Sequence, residues 1–468
     1  MGQSAENPCS QLHSRYNPQA EAVRFIDSLQ LKETIECFIL IEPGLGYIIP
    51  VLQERFKNSK IIVLHVKNHQ IKHNFVPQKA ILHTTERQNV KKFLETEVPE
   101  IEIDKIRIIE WRPSLNYFKE KYISLLSQVV EFLKQMDAGK RTTAAYGKRW
   151  FKNFYKNLLI TNRTLLYRQT SLPVIVTGSG PNLEHALPLI AKMQKNCLII
   201  AASSSIMALN ANGITADLII TTDGGNWALF HGATCQRMAK ETAFAVNLCA
   251  ALPSSTTAPF LIINDGSFWQ SIIFNELKIP SVIIPQRGTV TATAVELVML
   301  LSSGNIFLAG FDFSNNDIRT HVKPYSFDNL FFGKANRFLP FYTTSFTRST
   351  LLREGGSLNI YETWFKDKIS LWQNRVFSLT EHKVFKNAIP DKQSNIKNIN
   401  EIFSTVNIKN NPADSQKKGF NALLSALYNQ EYSENIRSEL SQMLCPGEKE
   451  ITKQELEAVI RRELAISS

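Results

Sequence analysis

Val174-Ile175-Val176-Thr177-Gly178-Ser179-Gly180-Pro181-Asn182-Leu183 is a short β-branched run that breaks into two glycines and then opens a helix-like pattern. The Val and Ile residues suit a buried strand, and glycine at 178 and 180 lets backbone N–H groups approach an anion or another chain segment. Asn182 stands where it can cap the helix expected through Gln194. The same alternation recurs downstream, with strands expected at 173–177, 197–202, 217–222, 244–248, 260–264, 281–285 and 305–309. Most gaps between them are long enough for a crossover helix, among them 204–212, stopped by Gly213, and 292–301. Continuous apolar strands alternating with helices give a mostly parallel sheet covered on both faces, whose ligands bind at the carboxyl ends of the strands.

On the N-terminal side, strands at 37–42, 60–66, 79–84 and 106–111 predict a small α/β domain. Pro113 opens a helix with apolar positions Tyr117, Tyr122, Leu125, Val129, Phe132 and Leu133, and Gly139 is its expected stop. Between Gly139 and Thr170 lie eight Lys or Arg residues and no Asp or Glu, interleaved with Tyr146, Trp150, Phe151, Phe154, Tyr155 and Tyr167. A linker helix with an inward aromatic stripe and a solvated basic face is the expectation, with an anionic partner as the alternative. Beyond Pro340 the strand signal fades into helices at 361–374, 415–428, 433–444 and 452–464, with an exposed connection at 394–414. The chain divides on this reading into 1–137 (α/β), 138–170 (basic linker), 171–339 (central sheet) and 340–468 (helical).

The 468 residues exceed one ordinary core, and 44% hydrophobic with 20% charged residues is a globular composition. No basic and apolar leader opens the sequence and no apolar run is long enough to span a bilayer, so a cytoplasmic protein without a membrane span is expected. Cys9, Cys37, Cys197, Cys235, Cys249 and Cys445 form no C-x-x-C pair, which argues against a zinc ribbon or disulfide framework. His69 and His73 have zinc-helix spacing, but Gln70, Ile71 and Lys72 between them supply no glutamate. The formal charge of +11 gathers in the basic segment, and no nucleic-acid partner is expected.

Gly178-Ser179-Gly180-Pro181 is neither G-x-G-x-x-G, since Leu183 closes it, nor a Walker loop, since no Gly-Lys-Ser/Thr follows. As a strand-turn-helix it offers backbone donors and a helix N-terminus to a phosphate. Other candidates fall at the carboxyl ends of the same sheet: Thr222-Asp223-Gly224-Gly225, Arg287-Gly288-Thr289-Val290-Thr291 and Gly310-Phe311-Asp312-Phe313-Ser314, with Arg319-Thr320-His321 just beyond. Gly44-x-Gly46 suggests a second nucleotide turn, but the acidic ribose ligand expected near His65 is missing. The absence of a D-x-D pair at a strand end in this block agrees with metal-independent chemistry.

With these motifs in this order, Gly178-Ser179-Gly180-Pro181-Asn182-Leu183, Ala201-Ala202-Ser203, Thr221-Thr222-Asp223 and Leu308-Ala309-Gly310-Phe311-Asp312-Phe313 followed by His321, the chain resembles the motility accessory factors, the Maf glycosyltransferases. Leu12-His13-Ser14-Arg15-Tyr16-Asn17-Pro18 and Pro43-Gly44-Leu45-Gly46-Tyr47 are similar to their N-terminal part, so the resemblance runs from about residue 12 to 390. The central block is more distantly similar to bacterial sialyltransferases and to 6-hydroxymethylpterin pyrophosphokinases. The resemblance implies a Rossmann-like, sialyltransferase-like central sheet with a smaller N-terminal α/β domain and a helical C-terminal domain. It implies transfer of pseudaminic or legionaminic acid from a CMP-activated donor to Ser or Thr of flagellin, with no cofactor and no metal. By similarity, Gly178, Ser179, Gly180, Pro181, Asn182, Ser203, Asp223, Thr289, Thr291 and Gly310 would hold the donor nucleotide. Asp312 and His321 would be catalytic, His321 as the acid at the leaving phosphate. Phe311 departs from the family's Gly-Gln-Asp-Leu-Ala, and His382-Lys383 replaces a later Gly-Gly. A pyrophosphokinase would instead recruit Asp223, Asp265 and Asp312 for magnesium on ATP. A third reading is a decayed transferase fold that holds flagellin without turnover.

Overall fold

Alternate residues of short apolar strands reach opposite faces of a sheet, so a run such as Val174–Thr177 is fully buried only when both faces are covered. The computed structural model describes residues 12–66, 80–84, 90–98, 103–314, 318–354, 357–372, 374–390, 396–408, 411–448 and 451–465. Its strands are β1 (Cys37–Ile41), β2 (Lys60–His65), β3 (Ala80–Thr84), β4 (Ile106–Glu110), β5 (Arg163–Tyr167), β6 (Val174–Thr177), β7 (Leu198–Ala202), β8 (Leu218–Thr221), β9 (Ala243–Asn247), β10 (Phe260–Asn264), β11 (Ser281–Ile283), β12 (Ile306–Ala309), β13 (Val376–Ser378) and β14 (Phe403–Asn407). The chain forms two compact units, Met1–Thr142 and Thr143–Ser468.

The first unit holds a four-stranded parallel sheet ordered β3-β2-β1-β4. Cys37, Ile39 and Ile41 enter one core with Val90, Leu94, Tyr122, Leu125 and Val129. Phe38 and Leu40 enter the other, with Ala22, Ile26, Ile48 and Leu52. Lys79, expected to open the third strand, lies outside the described residues, as do Cys9, His69 and His73.

The helix expected to stop at Gly139 runs on, from Glu120 to Leu158. Helix-forming residues follow the glycine, Arg141 pairs with Asp137 one turn back at 2.7 Å, and no buried feature requires a break. A tolerated glycine therefore replaces the expected stop.

In the second unit a ten-stranded sheet runs β13-β12-β6-β7-β8-β9-β10-β5-β14, with β11 also on β10. All pairings are parallel except β5 with β14. Ile175, Ile199, Ala201 and Ile219 face one core with the helices Leu183–Met193, Phe268–Leu277, Pro412–Tyr428 and Ser433–Leu444. Val174, Val176, Leu198, Ile200, Leu218 and Ile220 face the other, under Val290–Leu301 and Phe365.

The region from residue 340, read from sequence as helical, also supplies β13 and β14, and the segment read as a linker supplies β5. These strands are short, and β14 exposes four of its five residues, which leaves too little apolar alternation to read. Of the aromatic stripe in the basic segment Phe151, Phe154 and Tyr155 are fully buried as expected, whereas Trp150 and Tyr167 are half-buried and Tyr146 is exposed; Lys152 meets Glu463 at 2.9 Å. Asn157 donates to the Leu248 and Ala250 carbonyls at 2.7 Å each, and Asn153 to those of Gly224 and Cys249 at 3.2 and 3.0 Å. This helix is thereby tied to the carboxyl ends of β8 and β9.

Candidate functional site

β6 and β12 are neighbours in register from Val174 with Ile306 to Thr177 with Ala309, so the turns that follow them meet. The Gly178 N–H donates to the Ala309 carbonyl at 2.8 Å and the Gly180 N–H to the Gly310 carbonyl at 2.9 Å. A Cβ at Gly178 would strike the Gly310 carbonyl, and one at Gly180 the Asp312 carboxylate. Both glycines are thus explained by close packing between two turns, and the donors expected to cradle phosphate are spent on the protein itself.

Asp312 Oδ2 accepts the Asn182 backbone N–H at 3.0 Å. Asn182 does occupy the N-cap position of Leu183–Met193, but its side chain makes no capping bond. The negative end at this helix start comes from Asp312, which sits after β12. Burial pushes the Asp312 carboxyl up, and its bonds with Asn182 oppose that shift.

What the turn leaves open is Ser179, whose N–H and hydroxyl make no hydrogen bond among the described residues, while its carbonyl accepts the Val322 N–H at 2.9 Å. Beside it the Thr291 methyl lies 3.2 Å from where a Gly178 Cβ would stand. The Thr289 and Thr291 hydroxyls are 3.0 Å apart. Thr289 precedes the helix Val290–Leu301 and caps none of its amides, so the positive end of that helix dipole is uncompensated here.

Asp223 is exposed after β8, with Oδ1 accepting the Gly225 N–H at 2.7 Å. Gly224 behind it abuts the Trp150 ring, which fixes the turn. The Asp223 charge reaches His231 and Tyr361. Burial lowers His231 from 6.5 to about 4, and Asp223 opposes that shift. His231 Nε2 is 3.3 Å from the Tyr325 hydroxyl. The His321 ring stacks on Tyr325 at 4.2 Å and 15°, and its Nδ1 is 2.8 Å from the Thr320 hydroxyl.

The His321 segment is pinned to the glycine turn from two sides. Val322 bonds Ser179, while Glu184 takes Arg319 at 3.0 Å and the Lys323 N–H at 3.0 Å. A cavity of about 330 Å³ opens there, lined by Thr320, His321, Lys323, Tyr325, Phe331 and Phe341 among others. Its walls are aromatic with the hydroxyls of Thr320 and Thr344, and its charged groups are paired, Lys323 with Asp328 and Arg319 with Glu184, which suits a polar ring of small-molecule size.

The turns after β6 and β12 and the start of Val290–Leu301 therefore meet: Asp312 contacts Gly180 and Asn182, Thr291 stands beside Gly178, and Thr289 bonds Thr291. The cavity at His321 reaches this junction through the Val322 bond to Ser179, and the Asp223 charge reaches His231, which bonds Tyr325 of the cavity wall. Ser203 is buried at the end of β7, its carbonyl accepting the Cys235 thiol at 3.6 Å, and no hydrogen bond among the described residues links it to the glycine turn. Phe311 points away from the crevice: it is 5% exposed and packs edge-on against Phe365 at 5.7 Å. His382 Nε2 donates to the Phe311 carbonyl at 2.9 Å while Nδ1 accepts the Val384 N–H at 3.0 Å, so His382 holds the turn after β12. His231 and Tyr325 were not legible as site residues, since only folding brings them to His321.

In the first unit the Gly44-x-Gly46 turn is occupied by the protein. His13 Nε2 accepts the Leu45 N–H at 2.8 Å and stands 2.5 Å from where a Gly44 Cβ would be. The carboxylate beside His65 comes from the end of β1: Glu42 is fully buried and bonds His65 Nδ1 at 2.9 Å and the Val66 N–H at 2.6 Å. These contacts account for the turn structurally.

Among the described residues no group of three or more His, Cys, Asp or Glu is arranged to hold a metal, and no helix is long and apolar enough to cross a membrane. An uncharacterized protein of Treponema pallidum (strain Nichols) is 24% identical over 294 residues, which are 63% of this chain and 63% of that protein. The chain thus matches less than two thirds of that relative's length. Among solved structures, a Maf glycosyltransferase from Magnetospirillum magneticum AMB-1 aligns with a TM-score of 0.48 and 13% identity over 98% of this chain and 79% of that one. Residues 148–317 match the family model described as 6-hydroxymethylpterin diphosphokinase MptE-like.

Proposed function

We propose that the protein is a glycosyltransferase that takes a nonulosonic acid of the pseudaminic or legionaminic type from its CMP-activated form and passes it to a Ser or Thr hydroxyl of flagellin, serving flagellar assembly and motility. Its place of action on this reading is the cytoplasm, before the acceptor is exported. The observation that carries it is the unspent Ser179 N–H, which lies in a turn flanked by Thr291 at the start of Val290–Leu301 and bonded through Val322 to the segment that lines the cavity at His321.

In this scheme the Ser179 N–H and the first amides of Val290–Leu301 hold the CMP phosphate, with Thr289 and Thr291 beside it. Asp223 takes ribose hydroxyls. The bond from the anomeric carbon to the phosphate oxygen breaks, its electron pair leaves on CMP, and the acceptor oxygen bonds to the anomeric carbon. His321 gives a proton to the departing phosphate and recovers one from the acceptor hydroxyl. Asp312 is a positioning residue, since its Oδ2 is occupied by Asn182. The reaction as drawn uses neither metal nor cofactor, because the leaving group is already good and placement supplies much of the rate.

The match over residues 148–317 favours a second reading, pyrophosphoryl transfer from ATP to a pterin alcohol. Calorimetry with CMP and with ATP separates the two. The transferase reading expects one CMP site that weakens about tenfold in Thr289→Val/Thr291→Val, a loss of about 1.4 kcal/mol, with ATP far weaker. Tight magnesium-dependent ATP binding with no CMP heat would establish the kinase reading instead.

A further inference from the structure

The helices Asp328–Lys334 and Phe341–Glu354 present two faces. One carries Phe331, Phe341, Thr344 and Ser345 into the cavity at His321. From the same segment Phe332, Phe338, Tyr342 and Phe346 stand 55%, 95%, 62% and 48% exposed. Isolated exposed aromatics are ordinary, but several on one short segment form a patch that soluble proteins seldom leave bare without a use.

The patch is built rather than frayed. Asn336 Oδ1 accepts the Phe338 and Leu339 N–H groups at 2.9 Å each, and the Asn336 N–H donates to the Leu339 carbonyl at 3.1 Å. This closed loop holds Phe338 outward. Phe332 stacks on Phe341 at 4.5 Å and 19°, and Tyr342 on Phe346 at 6.3 Å and 16°. Rigid aromatic side chains lose little entropy when covered, which makes them effective anchors.

Charge supplies the second criterion. Lys334 and Arg337 are exposed and have no carboxylate in ion-pair reach among the described residues. The carboxylate of Asp328 at the start of the first helix is taken by Lys323 and the Tyr325 N–H. The face is therefore apolar with an uncompensated positive rim, and its complement is apolar with an acidic rim.

We propose that this aromatic face docks an acidic, apolar-faced segment of the acceptor polypeptide and so delivers its hydroxyl to the cavity at His321. The inference rests on the transferase reading above. Continuity favours the acceptor as occupant over other proteins, because the same two helices line the cavity and carry the patch. The Phe341 ring spans both, stacking on Phe332 and walling the cavity.

The test uses the full chain, purified flagellin from the same organism and a CMP-nonulosonate donor. The variants are Phe338→Ser/Tyr342→Ser and Lys334→Glu/Arg337→Glu, all at exposed positions whose folding is checked by thermal melting. Flagellin KM should rise at least tenfold in both, while CMP release to water without acceptor stays unchanged. The charge variant's defect should shrink as salt is raised. An unchanged KM, or CMP release falling in parallel, would overturn the proposal. So would light scattering that shows a dimer broken by the aromatic variant while transfer is untouched. If the native protein neither releases CMP nor glycosylates, the transferase reading fails on its own, and direct flagellin binding on a biosensor decides the docking face. Binding lost in both variants upholds it, and binding unchanged or absent in the native protein overturns it.

Discussion

Asp312 Oδ2 and the backbone N–H of Asn182 are 3.0 Å apart, and this bond adds to the Gly180–Gly310 bond in holding the turn after β12 to the helix start after β6. Asp312→Asn keeps an oxygen acceptor and should leave stability within about 1 kcal/mol of the native protein, whereas Asp312→Ala orphans the amide and should cost about 1–3 kcal/mol. Urea denaturation of both variants checks this. Because burial raises the Asp312 carboxyl, the folded chain keeps its proton to higher pH than the unfolded chain. That contribution is complete at low pH and is lost as pH rises through the folded value, so Asp312→Asn should remove it.

Gly180→Ala should destabilise the fold before it touches ligand affinity. The added methyl would meet the Asp312 carboxylate and, at 2.8 Å, the Gly310 carbonyl. Overpacking against backbone costs about 1–3 kcal/mol, read as a lowered denaturation midpoint. A variant of native stability would mean that the two turns are not in contact.

Asn157→Leu should cost about 2–4 kcal/mol through lost hydrogen bonds alone. It would leave the Leu248 and Ala250 carbonyls, each now at 2.7 Å from its amide, without that donor in a buried place. Asn157→Asp should be at least as costly, since a carboxylate would face two carbonyls. Chemical denaturation at neutral pH distinguishes these from the native chain.

Acid should weaken the second unit through His231. Burial holds its folded value near 4 against the usual 6.5, so the unfolded chain binds the extra proton between those limits. Stability from this residue is complete above about pH 6.5 and is lost as pH falls toward about 4. Urea midpoints at several pH values should show a shallower fall for His231→Gln than for the native protein. Equal slopes would place His231 in a solvated setting.

The parallel sheet was legible because its inner strands, such as Leu198–Ala202 and Phe260–Asn264, are buried on both faces and announce themselves as unbroken apolar runs. The edge was not: β14 reads as polar because four of its residues face solvent, and β13 has three residues. The glycine turn was legible as a special place, yet its reason was hidden. Whether Gly178 and Gly180 spare their amides for an anion or give them to a neighbouring strand depends on β12, which lies over a hundred residues away in sequence. In the same way, no local signal ties His231 to Tyr325.

The most direct test is the intact mass of flagellin after incubation with this protein and CMP-pseudaminic or CMP-legionaminic acid. A mass increase of one or more nonulosonate residues, lost in His321→Ala while CMP binding persists, is the predicted result. Unchanged flagellin mass with both donors, from protein shown to be folded, would contradict it.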